Sequence, residues 1–153
     1  MPPLNALLAP DWLPPSALQA ISASVEKAYP HEACGVLLGA TGACSRVTKV
    51  IECQNVFAGD RRHGYQLNPL EHLAILRRAR SQEESPLAIY HSHPDGEAEL
   101  SEADLSGAWL HDGPRFPGVL YCVVATRGAK PNRMRAFTPV QARAAMLRGE
   151  WSF

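Results

Sequence analysis

The sequence predicts an α/β (α+β) fold in which helices flank one mixed β-sheet. Three observations predict it. Helical and strand patterns alternate along the chain. A tight turn at residues 39–42 separates two strand-like runs. Residues 119–125 form an uninterrupted apolar run of seven, as expected of a strand buried on both faces. With 153 residues the chain can build one core without disulfides, so a single domain over 1–153 is expected, with a core at about 15–138 and a terminal helix at about 139–148.

Each element has a local reason. Pro14-Pro15-Ser16 opens a helix in which Leu18, Ile21, Val25 and Ala28 share one face, and Pro30 ends it. Residues 33–38 form a short apolar run closed by Gly39, and residues 47–53 resume after the turn as a hairpin partner. Residues 55–64, with Gly59-Asp60-Arg61-Arg62, read as an exposed loop, and Tyr65-Gln66-Leu67 alternates like a brief strand. Asn68 is a helix N-cap with Pro69 behind it, and the helix runs to about Arg80. Residues 87–90 are a strand leading straight into His91-Ser92-His93-Pro94. Residues 101–111 read as a helix, with Leu105, Ala108 and Trp109 on its apolar side. Residues 134–137 are a further strand.

Composition excludes several function classes. Lys+Arg and Asp+Glu are equal at 15 each, which argues against a dedicated nucleic-acid binder. No stretch reaches the roughly 18 apolar residues of a membrane span. Residues 1–15 lack a basic leader and are broken by Pro10, Asp11, Pro14 and Pro15, so the expected compartment is the cytoplasm. Cys34, Cys44, Cys53 and Cys122 show no C-x-x-C spacing and read as small buried residues.

The chemistry is concentrated in His91-Ser92-His93 and in Ser101-Glu102-Ala103-Asp104. Side chains two apart on a strand point to one face, so both imidazoles face the same way. Asp104 lies one turn beyond Ser101 on the following helix. Two histidines and a carboxylate make three zinc ligands and leave a fourth position for water, the pattern of a catalytic site. Ser101-x-x-Asp104 also fits a helix capping box, and both roles are open to it. A hydrolytic zinc site needs a general base. Glu32 is the candidate, at the step from helix to buried strand; a solvent-facing loop glutamate is the alternative at this level.

Taken together, Glu32 with Ala33-Cys34-Gly35-Val36-Leu37-Leu38-Gly39, then Tyr90-His91-Ser92-His93-Pro94, then Ser101-Glu102-Ala103-Asp104, resemble the signature of the JAMM (MPN+) zinc metalloproteases, in a compact prokaryotic form. The similarity covers roughly residues 15–137. It implies a curved, cytidine-deaminase-like sheet, and one Zn²⁺ per chain held by His91, His93 and Asp104. It also implies Glu32 as the proton-carrying base and Ser101 as the oxyanion stabiliser. By the same resemblance the substrate is the bond after the C-terminal Gly-Gly of a ubiquitin-like protein. In a chain without room for the eukaryotic insertions, that partner is expected to be a ubiquitin-like sulfur carrier or its C-terminal conjugate. One departure is Leu100, where many members have proline before the serine.

Three other functions compete. A metal-free MPN scaffold would keep the fold and lose the ligands, but the full Glu/His/His/Ser/Asp set is present. A zinc nucleobase deaminase would need H-x-E and P-C-x-x-C, and neither occurs. A RadC-like, DNA-repair-associated protein shares the H-x-H-P-x-G run of His91 to Gly96, without the Glu32 strand pattern.

Overall fold

The structure is a computed structural model describing residues 7–40 and 45–153. After a 3-10 turn at Pro10–Trp12, the elements are α1 (Pro15–Ala28), β1 (Cys34–Ala40), β2 (Arg46–Cys53), α2 (Pro69–Ser81), β3 (Ser85–His93), α3 (Glu102–Ala108), β4 (Trp109–Leu110), β5 (Gly113–Pro114), β6 (Leu120–Arg127), β7 (Lys130–Gln141) and β8 (Ala144–Ser152). Six strands form one mixed sheet in the order β2-β1-β3-β6-β7-β8, and β4 pairs with β5 separately. Only β3 and β6 run parallel; every other neighbouring pair in the sheet is antiparallel.

Side-chain alternation divides the sheet into two faces. On one, Leu37, Ala88, Tyr90, Cys122, Val124 and Met134 pack with Ala17, Ile21 and Val25 of α1. On the other, Cys34, Val36 and Leu38 pack with Ala79 of α2, and Ile89 and Tyr121 pack with Ala108 of α3. The strands β1, β3 and β6 are therefore covered on both sides, which is why they read as continuous apolar runs. Asn68 caps α2 as expected: its Oδ1 accepts from Leu70 N at 3.0 Å and Glu71 N at 3.3 Å. Cys34, Cys53 and Cys122 are buried and unpaired; Cys44 and part of the expected 39–42 turn lie outside the described residues. Among the described residues, no helix is long and apolar enough to cross a membrane.

Three expectations need correction. The terminal helix at 139–148 is not formed: β7 runs through Gln141 and turns into β8. The Ala-rich segment has good helix propensity, but β7 would otherwise be an open sheet edge, and pairing such as Ala136↔Gly149 and Arg135↔Glu150 overrides it. Arg148 is drawn inward, where its Nη1 donates to Thr138 Oγ1 at 2.8 Å, and Trp151 packs on Trp12 with ring centroids 5.7 Å apart. The helix expected at 101–111 ends at Ala108, because Trp109–Leu110 pairs back onto Gly113–Pro114. His111, at a φ of 29°, makes the turn between them. The Tyr65-Gln66-Leu67 strand is reduced to a single bridge between Asn55 and Leu67.

Candidate metal centre and active-site cleft

β3 extends through His93, so the alternation that places Ile89 on the α2/α3 face also places His91 and His93 there. Their Nε2 atoms lie 3.1 Å apart. Asp104, in the first turn of α3, brings Oδ2 to 3.1 Å from each of them. The sequence Ser101-x-x-Asp104 fixes that carboxylate. Ser101 N donates to Asp104 Oδ2 at 2.9 Å, and Asp104 N donates to Ser101 Oγ at 3.0 Å, a reciprocal capping box. Ser101 Oγ is thus an acceptor toward the helix, and its own hydroxyl proton remains to be donated elsewhere.

This donor set fits a zinc ion. His93 Nδ1 is 2.9 Å from the carbonyl oxygen of Glu97, which can only accept, so the proton of the neutral ring sits on Nδ1 and Nε2 presents a lone pair. That lone pair meets a carboxylate oxygen and a second imidazole nitrogen. Three such donors can hold a cation between them, and tetrahedral zinc at its usual bond lengths of about 2.0–2.1 Å spaces its ligands about 3.3 Å apart. Without a metal, the three groups shift one another. Burial pushes His91 below its ordinary pKa, against the pull of Asp104. Burial also works against a charged His93, but Asp104 and the Glu97 carbonyl outweigh it and the net shift is upward. For Asp104, burial is outweighed by the two imidazoles, which hold it far below the usual carboxylate range.

Glu32 stands beside this cluster. Its ligand oxygen and the nitrogens of His91 and His93 all lie within 4.8 Å of one another, so Glu32 with the two histidines is a second geometrically possible metal triad. Asp104 Oδ2 reaches both nitrogens more closely, at 3.1 Å. Glu32 is 4% exposed, and its Oε1 has no hydrogen-bond partner among the described residues. Burial pushes its pKa from 4.5 up to about 8, with His93 opposing and the Asp104 charge adding. Its main chain is held on both sides: Glu32 N donates to Arg61 O at 2.7 Å, and Asn55 Nδ2 donates to Glu32 O at 3.0 Å. Ser92 supplies the third tie, its Oγ accepting from Ala33 N at 2.8 Å.

All five residues expected from the sequence therefore meet in one place. Glu32, His93, Ser101 and Asp104 line a cleft of about 860 Å³, with His91 buried behind them, and its lining also includes Phe57, Arg62, His63, His72, Phe116 and Tyr121. Of these, the sequence reading assigned no role to His72, which packs edge-on to Phe116 with centroids 5.2 Å apart. It also missed Asn55 and Tyr65, whose only signals were a loop asparagine and a three-residue alternation.

Comparison with known proteins agrees with this geometry. A family model described as prokaryotic homologs of the JAB domain matches residues 14–140. The CysO-cysteine peptidase of Mycobacterium tuberculosis is 32% identical over 120 residues, covering 78% of this chain and 76% of that protein. The desampylase of Haloferax volcanii is 33% identical over 99 residues, covering 65% of this chain and 66% of the relative. Among solved structures, a protein from Salinibacter ruber superposes with a TM-score of 0.66 at 30% identity, covering 90% of this chain and 87% of that one. Protein DSY2949 from Desulfitobacterium hafniense shares the fold, with a TM-score of 0.67 at 24% identity, covering 82% of this chain and 81% of that one. With five site residues gathered on one sheet face and a family match spanning most of its length, the chain belongs to the prokaryotic homologues of the JAB domain, within the JAMM/MPN family.

Proposed function

We propose that the protein is a zinc-dependent peptidase that hydrolyses the peptide or isopeptide bond after the C-terminal Gly-Gly of a ubiquitin-like protein, a sulfur carrier in particular. One observation carries this reading: a buried Glu32 carboxyl, its Oε1 without a hydrogen-bond partner among the described residues, beside three converging donors, His91, His93 and Asp104. A structural metal site would be closed by four protein ligands and would need no such neighbour. The relatives named desampylase and CysO-cysteine peptidase support a peptidase of this class.

His91, His93 and Asp104 would hold the zinc, which when bound supplies Lewis acidity and brings a water within reach of deprotonation near neutral pH. Glu32 takes a proton on its carboxylate from the attacking water and returns it to the departing amine. Burial raises its pKa in the metal-free protein, and the charge of a bound zinc would lower it again, leaving a carboxylate free to accept the proton. Ser101 donates its hydroxyl proton to the oxygen that gains charge as the carbonyl becomes tetrahedral. Its bond from Asp104 N fixes Oγ for that purpose. The cleft carries Gly64, Gly96 and Gly107 along its lining, which leaves room for an extended tail of small residues.

The test offers zinc-loaded protein three substrates: a sulfur-carrier fusion extended past Gly-Gly, a di-ubiquitin, and an unstructured Gly-Gly peptide. Mass spectrometry locates any cut. Cleavage after Gly-Gly of the carrier, faster than of di-ubiquitin, is the expected result. Cleavage of di-ubiquitin alone would reverse the substrate assignment, and no cleavage of any would remove the peptidase reading. Elemental analysis should find one zinc per chain in the wild type and little in His91→Ala or His93→Ala. A wild type that neither carries nor takes up zinc would be a metal-free scaffold.

A further inference from the structure

The two histidines are held by different devices. His93 is fixed by the hydrogen bond from Nδ1 to Glu97 O. His91 is fully buried, yet its Nδ1 has no hydrogen-bond partner among the described residues. Metal-ligating histidines ordinarily have such a partner, which sets the ring orientation. The imidazole χ2 torsion is intrinsically broad, so something else must aim Nε2 at the site. Tyr65 lies flat against the His91 ring, with centroids 4.2 Å apart and an interplanar angle of 18°. The His93 ring meets the same imidazole edge-on at 4.8 Å and 67°. His91 is thus boxed by ring faces and edges.

Tyr65 is itself fastened. Asn55 Oδ1 accepts from Gln66 N at 3.1 Å, and its Nδ2 donates to Gly64 O at 3.1 Å, so one carboxamide grips the residues on either side of Tyr65. Val56 N donates to Gln66 O at 2.9 Å. The same Nδ2 donates to Glu32 O at 3.0 Å. Asn55 therefore ties the segment that stacks on His91 to the main chain of Glu32.

We propose that Tyr65 is a positioning residue for the metal centre, fixing the His91 ring by stacking where a hydrogen bond to Nδ1 is absent, and that Asn55 clips it in register with Glu32. The proposal rests on the metal reading above. Loss of a partner that orients a ligating histidine typically weakens metal binding about 10–100-fold, and that range is expected here.

The test is an equilibrium one. Zinc affinity is measured by competition with a chromogenic chelator, and ligand geometry by the visible absorption of the cobalt-substituted protein. Tyr65→Phe keeps the ring face and should bind within about threefold of wild type with an unchanged cobalt spectrum. Tyr65→Leu should bind about 10–100-fold more weakly with an altered spectrum. Tyr65→Met, which fills the space with a flexible chain, replaces it if the Leu variant does not fold. Asn55→Ala should shift affinity the same way by a smaller factor. Wild-type affinity and spectrum in Tyr65→Leu or Tyr65→Met, with only the thermal midpoint lowered, would make Tyr65 a packing residue and overturn the proposal. So would equal loss in Tyr65→Phe, which would assign the role to the hydroxyl. Failure of the wild type itself to bind zinc or cobalt would instead bring down the metal reading, and this proposal with it.

Discussion

Glu32→Gln separates two consequences of one buried carboxyl. In the metal-free protein, the unfolded chain releases the Glu32 proton near pH 4.5, while the folded chain holds it to about pH 8. Between those values the folded state binds more protons than the unfolded state, so stability falls as pH rises. His93 and Asp104 face the carboxyl with opposing effects, and burial is the larger cause. The window is roughly 3.5 pH units wide, which sets a ceiling of about 5 kcal/mol at about 1.36 kcal/mol per pH unit. Even buried charges behave as if in an effective dielectric near about 20, which reduces the figure to about 1–3 kcal/mol. Glutamine has nearly the same shape and no proton to lose. Metal-free Glu32→Gln should therefore match wild type near pH 4.5 and exceed it by about 1–3 kcal/mol above pH 8 in urea unfolding. The histidines and Asp104 are present in both proteins, so the difference between the two curves reports Glu32 together with its coupling to them. A difference independent of pH, or a less stable glutamine variant at pH 8, would refute the account of this burial. With zinc bound, the same variant should keep its metal and lose about 10²–10⁴-fold in hydrolysis, because glutamine cannot take the water's proton. Near-normal turnover would show that the proton goes elsewhere.

Ser101→Ala removes both the N-cap acceptor of α3 and the hydroxyl donor. It should cost about 1 kcal/mol of stability and slow turnover by roughly 10²–10³-fold with zinc retained; an unchanged rate would leave Ser101 a helix cap alone. Gly35→Ala would place a Cβ against the backbone oxygen of Ile51 and 2.5 Å from Tyr90 Cε1, in the strand that follows Glu32. Overpacking there should cost about 1–3 kcal/mol, read as a fall of several degrees in thermal midpoint for a chain of this size; an unshifted midpoint would mean that Tyr90 moves aside freely.

The site was more legible than the frame around it, for a physical reason. His91 and His93 obey strand alternation and Ser101 and Asp104 obey capping geometry, so each pair is dictated by neighbours within a few residues. The C-terminal hairpin is dictated by a distant fact, the open edge of β7, and the local propensity of Ala142-Arg143-Ala144-Ala145 points the other way. The short β4 and β5 pair, closed at His111, likewise depends on chain reversal rather than on apolar period. Asn55 and Tyr65 were invisible because their partners, Glu32 and His91, lie 23 and 26 positions away with no periodicity to announce them.

The distance between Glu32 and the histidines in sequence disappears through sheet register. In the antiparallel pair β1–β3, Cys34 stands opposite His91 and Gly35 opposite Tyr90. Counting back along β1 carries Glu32 toward His93, at the end of the sheet where the chain leaves for α3. The middle residue of His91-Ser92-His93 holds that register. Its backbone N donates to Ala33 O at 3.1 Å, and its Oγ accepts from Ala33 N at 2.8 Å, so Ser92 pairs with the residue next to the base through main chain and side chain together. A slip of one residue would turn Glu32 to the α1 face, away from the metal donors. The serine between His91 and His93 is thus a polar residue buried for a purpose: it points to the opposite face from the histidines and ties down the strand that presents Glu32.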